Sequence, residues 1–295
     1  MTDLFREIRG PELCRQAFTG PPVTHLFVAP HPDDVALSCG GLVARLRKRG
    51  ESVGIATVYS GAGSRAELTP YQRQALGFGE RRGSLAPADV MRERAAEDAA
   101  YAVTVGARLF RADEPDAVFR GYEGEDQLMG PPRPDDLPPY KCLEAALDSL
   151  RPAVAYLPLA VGGHVDHRLV HQAGIIVLGG GRYPHGGIPP KRHCQLVFYE
   201  DLPYAAVAEF HSLEQLRPDQ LAGLSPWIRL VPECVELSGD LADRKLAGIR
   251  AYASQIDRLF GSDAEMAAVI RARAVRVGTV AGTEPAERYW RATAP

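Results

Sequence analysis

Two short apolar runs with a helical stretch between them constrain the fold more than any other feature of the sequence. Residues 24–29 and 53–59 have the length and the continuous apolar character of buried strands. Between them, residues 42–48 place apolar side chains on one face, and Gly50 follows as a helix-ending residue. This strand, helix and strand form a βαβ unit, which requires parallel strands joined by a right-handed crossover.

The alternation of strands and helices continues along the chain. It predicts an α/β, Rossmann-like fold in which a mostly parallel sheet is flanked by helices, with the active site at the strand carboxyl ends. We expect an N-terminal extension over residues 1–23 and a single domain over residues 24–295. The later predicted elements are helices over residues 92–105, 141–150, 168–178 and 241–255, strands over 107–110, 153–157, 195–199 and 228–235, and loops over 60–87, 113–139 and 179–190.

Charge and composition exclude several classes of function. The chain has 34 Lys+Arg against 37 Asp+Glu, a formal net charge of -3, which gives no basic face for a nucleic-acid backbone. No apolar stretch approaches the roughly 20 residues of a membrane helix, and residues 1–22 lack the apolar centre of a signal peptide. We therefore expect a cytoplasmic protein with no membrane span. Its five widely spaced cysteines predict free thiols rather than disulfides or a zinc ribbon.

Acids and histidines crowd together in two places. His31, Asp33 and Asp34 directly follow the first predicted strand, and residues 164–167 (HVDH) follow the fourth. Because the carboxyl ends of parallel strands share one edge of the sheet, we expect the two clusters to converge. Two imidazoles and one carboxylate would then form a His₂Asp set, which suits catalytic zinc and leaves a position for water. Either cluster alone is also compatible with ordinary turn formation and helix capping.

These clusters resemble the motifs of a known family. Residues 28–41 (VAPHPDDVALSCGG) and 162–170 (GGHVDHRLV) resemble the signatures of the PIG-L/LmbE-like family of zinc-dependent de-N-acetylases. Val35 and Val165 depart from the acid and the proline that many relatives carry, although neither position is a ligand. The resemblance extends along the chain as far as Trp290. The further positions that match the family are Arg94, Glu97, Gly106, Asp116, residues 120–122 (RGY), residues 199–204 (YEDLPY), Lys245, Tyr252, Ser254, Gln255 and residues 287–290 (ERYW).

The resemblance implies a metal site and its chemistry. It implies that His31, Asp34 and His167 bind Zn²⁺, with Fe²⁺ as an alternative because histidine and carboxylate ligands suit both ions. Zinc would make water a nucleophile at neutral pH. The metal is therefore the cofactor that we expect this chain to use.

The resemblance also implies three residues that move or stabilise protons. Asp33 would be the general base. His164 would stabilise the oxyanion of the attacked amide and protonate the leaving amine, while Asp166 would hold His164 in its charged form.

The residues that contact substrate are less determined by the sequence. Asp116 and Arg120 lie where groups that bind sugar hydroxyls are expected, and Tyr204 could cover a sugar ring. Each also has an ordinary interpretation, as solvated loop residues and as a tyrosine at the edge of the core. The basic residues at 92–94 are most simply a solvated helix face.

The function that we predict is removal of an acetyl or similar small acyl group from an N-acetylglucosamine-type sugar or a sugar-containing natural product. The partner is then a small N-acylated amino sugar or glycoconjugate, and a homo-oligomer is compatible with the sequence. Three alternatives stay open: an amidase acting on a thiol-cofactor conjugate or another non-sugar amide, a binding protein without catalysis, and a nucleotide-binding domain. The last lacks a GxGxxG motif after the first strand, where two carboxylates would face the phosphates.

Overall fold

Seven strands form one sheet in the computed structural model, which describes residues 16–63, 69–76, 86–178, 194–206 and 229–293. The strands are β1 (His25–Ala29), β2 (Val53–Thr57), β3 (Arg108–Arg111), β4 (Val154–Pro158), β5 (Gln195–Tyr199), β6 (Arg229–Glu236) and β7 (Ala286–Thr293). The described helices include α1 (Asp34–Lys48), α2 (Pro70–Ala75), α3 (Pro87–Val105), α4 (Glu125–Leu128), α5 (Tyr140–Leu150), α6 (Val165–Leu178), α7 (Leu241–Ile249), α8 (Ala253–Phe260) and α9 (Asp263–Ala281).

The sheet has the strand order β3-β2-β1-β4-β5-β7-β6. β3, β2, β1, β4 and β5 are parallel, and His25 of β1 lies between Val53 of β2 and Val154 of β4. β7 and β6 continue the sheet in antiparallel pairing. The predicted α/β fold with a mostly parallel sheet is therefore confirmed. The sequence analysis did not identify α9 and β7, which close the C-terminal side.

The central parallel strands β1, β2 and β4 are largely apolar because helices cover both faces of the sheet. All five residues of β1 are buried, and the Phe27 ring stacks on that of Tyr156 with centroids 4.2 Å apart. The domain also includes residues upstream of the predicted boundary at 24. Phe18 is buried, and its ring centroid lies 6.1 Å from that of Phe110.

Helix α1 begins eight residues earlier than the sequence analysis predicted. Gly40 and Gly41, just before the predicted start at residue 42, lie in the interior of the helix. Both allow a close approach: a Cβ on Gly40 would lie 3.0 Å from Lys245 Cγ, and a Cβ on Gly41 would lie 2.1 Å from Leu237 Cδ2. The glycines therefore mark tight packing against the C-terminal elements. The predicted stop is correct, since Gly50 has a φ of 78° just after the helix.

Two other helices differ from their predicted bounds. α6 begins at Val165 rather than 168, so the second acidic and histidine cluster forms its first turn. The single helix predicted over 241–255 is two helices, α7 and α8, with a break at 250–252. The break brings the buried Tyr252 hydroxyl to Asp98 on α3, to which it donates a hydrogen bond of 2.7 Å. The segment 179–190 lies outside the described residues, and none of the described helices has both the length and the apolar character of a membrane span.

The loop after β3 is held against the end of β2, and this contact positions the loop that carries Asp116. Gly61 and Pro115 form a parallel bridge, and the Gly61 N–H donates to Glu114 O at 2.9 Å. A Cβ on Gly61 would lie 2.2 Å from the backbone oxygen of Asp113, so the two backbones approach too closely for any other residue.

We therefore expect Gly61→Ala to lower the free energy of unfolding by about 1–3 kcal/mol, because backbone must move to admit the methyl group. Gly124→Ala is the matched control, since a Cβ there meets nothing within 4 Å. Urea unfolding of both variants measures the difference. Equal stability of the two variants would contradict the close approach.

Candidate active site

The two histidine and acid clusters meet at the carboxyl ends of β1 and β4, which are neighbours in the sheet. His31 follows β1, while His164 and His167 follow β4. The ring centroids of His31 and His164 are 5.0 Å apart, and that of His167 lies 5.4 Å from each of them. One nitrogen from each ring lies within 4.8 Å of the others. The convergence expected from the sequence is therefore present in the structure.

Asp34 lies between His31 and His167. Its Oδ1 is 3.5 Å from His167 Nε2, and its Oδ2 is 3.6 Å from His31 Nδ1. The same Oδ2 accepts the His31 N–H at 2.7 Å, which fixes the carboxylate in place. Burial would raise the pKa of Asp34, but the charges of His167 and His31 outweigh it and lower the pKa, so the group is an anion. This carboxylate faces both imidazoles at once.

The two ring nitrogens of His167 differ in their hydrogen bonding. His167 Nδ1 lies 2.5 Å from Asp201 Oδ1, a contact that makes Nδ1 the protonated nitrogen. Its Nε2 is buried and has no hydrogen-bond partner in the part of the chain that the structure describes. A buried ring nitrogen that faces a carboxylate without a hydrogen bond to it is placed as a metal ligand would be, so these residues fit a divalent cation.

Asp201 is a residue that the sequence analysis did not assign to the site. It directly follows β5, next to β4 in the sheet, and its carboxylate is fully buried. Its Oδ2 also accepts the Val161 N–H at 2.9 Å. The available signal was the acidic pair Glu200-Asp201 at the carboxyl end of a third parallel strand.

Asp166 contacts a different histidine from the one predicted. Its Oδ2 lies 2.9 Å from His31 Nε2 and accepts the Ala117 N–H at 3.0 Å, while Oδ1 accepts from Arg120. His164 contacts only the backbone of this residue, because its Nδ1 accepts the Asp166 N–H at 3.2 Å. Among these contacts the carboxylate is directed to His31, so the expected Asp166–His164 side-chain pair is not found.

His164 is correspondingly not held in its charged form. Desolvation and the neighbouring charge of His31 together place the pKa of His164 well below its usual value, although Asp166 opposes them. By contrast, burial lowers the pKa of His31, but hydrogen bonds to Asp166 and Asp34 raise it to about 10. With Nδ1 accepting a hydrogen bond, neutral His164 carries its proton on Nε2.

Asp33 occupies an unusual backbone conformation at the start of α1. Its φ is 97°, in the region that favours glycine, and its side chain does not cap the helix. Such a conformation costs on the order of 1–3 kcal/mol and persists only where surrounding contacts enforce it. Burial raises the pKa of Asp33 to about 7, against the opposing charge of Arg94. The Asp33 carboxyl is therefore buried at the start of the helix without serving as its cap.

A cleft of about 510 Å³, partly open to solvent, lies over these residues. Asp116 and Tyr204, both predicted to contact substrate, are in its wall. The described residues that line the cleft are His31, Asp33, Asp34, Leu37, Ala75, Arg94, Asp116, Val118, Leu128, His164, Pro203, Tyr204, Arg258 and Leu259.

Arg120 does not line the cleft, and the substrate contact predicted for it is not supported. It is buried behind Asp166, where its guanidinium donates to Asp166, to Asp136 at 3.0 Å and to Pro115 O at 2.7 Å. Its guanidinium carbon also lies 4.3 Å from the centre of the Tyr59 ring. The physical reason is charge compensation, because two buried carboxylates need a cation beside them.

Arg94 differs from its predicted position on a solvated helix face. Its side chain is 5% exposed, and its NH1 lies 3.5 Å from Asp116 Oδ2. Its Nε finds no hydrogen-bond partner among the residues described. The missed signal was its spacing from Val90 and Tyr101, since all three lie on the buried face of α3. Arg94 thus adds a cation to the cleft wall.

The chain is similar to known proteins over most of its length. The family described as "GlcNAc-PI de-N-acetylase" matches residues 26–178. A 2'-N-acetylparomamine deacetylase from Streptomyces fradiae is 34% identical over 237 residues, which cover 79% of this chain and 73% of that protein. A protein of the same name from Niallia circulans is 28% identical over 197 residues, covering 61% and 66% respectively.

Solved structures share the fold at lower identity. An A40926 pseudoaglycone deacetylase has a TM-score of 0.68 at 24% identity and covers 92% of this chain and 98% of its own. The N,N'-diacetylchitobiose deacetylase from Pyrococcus horikoshii has a TM-score of 0.60 at 19% identity, covering 100% and 94% respectively. At these identities the similarity concerns the fold.

Removal of Arg120 should have a large cost in stability. We expect Arg120→Met to lower the free energy of unfolding by about 3–5 kcal/mol, because it leaves Asp166 and Asp136 buried without their cation. Arg250→Met is the control, since the Arg250–Asp263 pair is about half exposed on both sides and should contribute less than about 1 kcal/mol. Urea unfolding of the two variants compares them. Losses of similar size would show that Arg120 is not the compensating charge.

Proposed function

Because the chain belongs to the PIG-L family of GlcNAc-PI de-N-acetylases, we propose that it uses this cleft to hydrolyse the acetamide of an N-acetylated amino sugar in a natural product, with a divalent metal ion as cofactor. The observation that carries the proposal is the convergence of the buried His167 with His31 and Asp34, which line the cleft beside Asp33. This arrangement offers two imidazoles, one carboxylate and a second carboxylate that is free of helix capping.

His31, Asp34 and His167 are the residues that would hold the metal. The unpartnered Nε2 of His167 and the carboxylate of Asp34 support this assignment. Nitrogen and oxygen donors of this kind suit Zn²⁺, and also Fe²⁺. A bound divalent ion supplies Lewis acidity, which polarises an amide carbonyl and makes water nucleophilic near neutral pH.

Asp33 is the group that accepts the proton of the attacking water in this proposal. It lies in the cleft wall next to Asp34 and is held there by an enforced backbone conformation. A carboxyl with a pKa of about 7 can also return a proton at neutral pH. We therefore assign to Asp33 both the removal of a proton from water and its delivery to the leaving amine.

His164 donates a hydrogen bond rather than a proton. Its Nδ1 accepts the Asp166 N–H, so Nε2–H is the group available to a substrate in the cleft. A neutral imidazole donor can stabilise the oxygen on which negative charge develops when the amide is attacked. This role replaces the charged His164 expected from the sequence.

The remaining cleft residues would hold the sugar. Asp116 and Arg94 present a carboxylate and a guanidinium that can bind hydroxyl groups, and Tyr204 presents a ring. The Tyr204 ring lies edge-on to His167, with centroids 5.5 Å apart, so it borders the metal ligands. A sugar ring over Tyr204 would bring its acetamide toward Asp33 and His164.

The names of the relatives suggest a kind of substrate for the first assay. The two relatives that are 34% and 28% identical to this chain are both named as deacetylases of 2'-N-acetylparomamine, an acetylated amino sugar. We expect the zinc-loaded protein to release acetate from this compound or from another N-acetylated amino sugar. An assay of acetate release should include an N-acetylated thiol-cofactor conjugate, whose exclusive cleavage would exclude the sugar assignment.

Loss of a proposed ligand should remove the metal. His31→Ala, Asp34→Ala and His167→Ala should each reduce bound metal well below the one equivalent per chain expected for the unchanged protein. His25→Ala is the matched control, because His25 begins β1 at the opposite end and bonds Tyr156 and Glu51. Elemental analysis of the purified proteins gives the stoichiometry. Full occupancy in all three ligand variants would overturn the site.

Asp33→Asn should separate catalysis from metal binding. We expect kcat to fall by roughly 10² to 10⁴, the usual contribution of a general base, while the metal content stays unchanged. Asp126→Asn, at an exposed position on α4, is the control for an unspecific effect of the substitution. The assay is acetate release with metal content measured on the same samples. A near-normal rate, or loss of the metal, would contradict the assignment of Asp33.

A further inference from the structure

We propose that two buried carboxylates, Asp166 and Asp201, orient the two histidine ligands and present opposite ring nitrogens to the metal: Nδ1 of His31 and Nε2 of His167. The inference rests on the proposed metal site. It adds two positioning residues and a ring orientation for each ligand. Neither carboxylate is exposed to solvent, so each interaction takes place away from competing water.

The orientation of His167 follows from Asp201. Oδ1 of Asp201 lies 2.5 Å from His167 Nδ1, while Oδ2 accepts the Val161 N–H at 2.9 Å. An ionised carboxylate can only accept, so Nδ1 must carry the proton. Nε2 is then the nitrogen left for a metal, and it lies 3.5 Å from Asp34 Oδ1 without a hydrogen-bond partner among the described residues.

The orientation of His31 is the reverse, and it follows from Asp166. Oδ2 of Asp166 lies 2.9 Å from His31 Nε2, so Nε2 carries the proton. Nδ1 is the nitrogen on the Asp34 side, 3.6 Å from Asp34 Oδ2. Asp34 therefore faces Nδ1 of one ring and Nε2 of the other, and a metal bound beside Asp34 would take these two nitrogens as ligands in place of their protons.

The two carboxylates are fixed in different ways. Asp201 is held by the Val161 backbone, whereas Asp166 is held by the Ala117 N–H and by Arg120. The positive charge of Arg120 compensates the negative charge of Asp166. Because of this compensation, Asp166 can stay ionised in the protein interior and accept a hydrogen bond from His31. Arg120 thus acts on the metal site through Asp166 and His31, without reaching the cleft.

A competing geometry exists on the other side of the His31 ring. Oδ2 of Asp116 lies 3.7 Å from His31 Nε2, and one ligand atom each of His31, Asp116 and Asp166 lies within 4.8 Å of the others. A metal held by that set would bind Nε2 of His31. The identity of the bound nitrogen therefore distinguishes the two arrangements.

The test is NMR spectroscopy of the full chain with ¹⁵N-labelled histidine, in which ¹¹³Cd replaces the native ion. We expect ¹¹³Cd–¹⁵N coupling to Nδ1 of His31 and to Nε2 of His167, with protons on the other two nitrogens. The ring signals of each histidine are assigned in the metal-free state, by their loss in the corresponding His→Ala variant, and are then followed through a ¹¹³Cd titration of the unchanged protein. Coupling to Nε2 of His31 would overturn the inference and place the ion beside Asp116 and Asp166.

Metal affinity gives a second readout. Asp201→Ala and Asp166→Ala should weaken zinc binding by roughly 10- to 100-fold in competition with a chromophoric chelator, and Asn at either position should restore part of it, because its amide oxygen can still accept. Asp98→Asn is the control: Asp98 is equally buried but bonds Thr57 and Tyr252. Should Asp166→Ala fail to fold, Asp166→Asn and both Asp201 variants carry the test.

The outcomes separate this inference from the proposed function. Unchanged zinc affinity in the folded Asp166 and Asp201 variants, in a protein that binds metal and releases acetate, would overturn the positioning roles alone. Absence of metal binding in the unchanged protein would instead overturn the proposed site itself.

Discussion

The contact between Arg120 and Asp166 is the interaction on which the rest of the site depends. Asp166 is fully buried in the first turn of α6, and an isolated carboxylate there would be too costly to keep ionised. Arg120 comes from a different segment, the loop after β3, and the Ala117 N–H of that loop binds the same carboxylate. Through this anion the loop, α6 and His31 are held together. The histidine cluster is therefore supported by a buried charge pair as well as by apolar packing.

A second set of buried charges holds the helix that carries Asp34. The Glu287 carboxylate of β7 accepts the N–H groups of Gly41 and Leu42 at 2.9 and 2.8 Å, and Lys245 of α7 binds it at 2.7 Å. The close approach needs glycine on α1. The C-terminal elements thus do more than complete the sheet, because they fix the middle of the helix whose first residue is Asp34. The site at one end of α1 is supported from strands and helices more than two hundred residues away in sequence.

The C-terminal helices also contribute to the cleft wall. The Glu97 carboxylate of α3 accepts the N–H and hydroxyl of Ser254 at 2.7 and 2.5 Å, a favourable position for an anion near the start of α8. This contact docks α8 on α3, and α8 carries Arg258 into the cleft wall. Arg94 reaches the same cleft from the buried face of α3. Arg94 and Arg258 of the cleft wall thus come from helices that are joined by hydrogen bonds, which keeps their positions defined.

The sequence by itself determined the parallel sheet and the meeting of the two clusters. Apolar runs of strand length alternate with helical stretches, and residues after neighbouring parallel strands must share one edge, so the two clusters could be expected to meet. The choice of His31, Asp34 and His167 within them came from the resemblance to a known family. Local pattern could not show which groups pair across the site. The resemblance implied that Asp166 pairs with His164, yet its side chain faces His31, 135 positions away. Asp201, the burial of Arg94 and the position of Arg120 behind Asp166 were likewise decided only by tertiary structure. The physical reason is that a buried charge takes the partner that the packing of distant segments places beside it, and spacing along the chain does not contain that information.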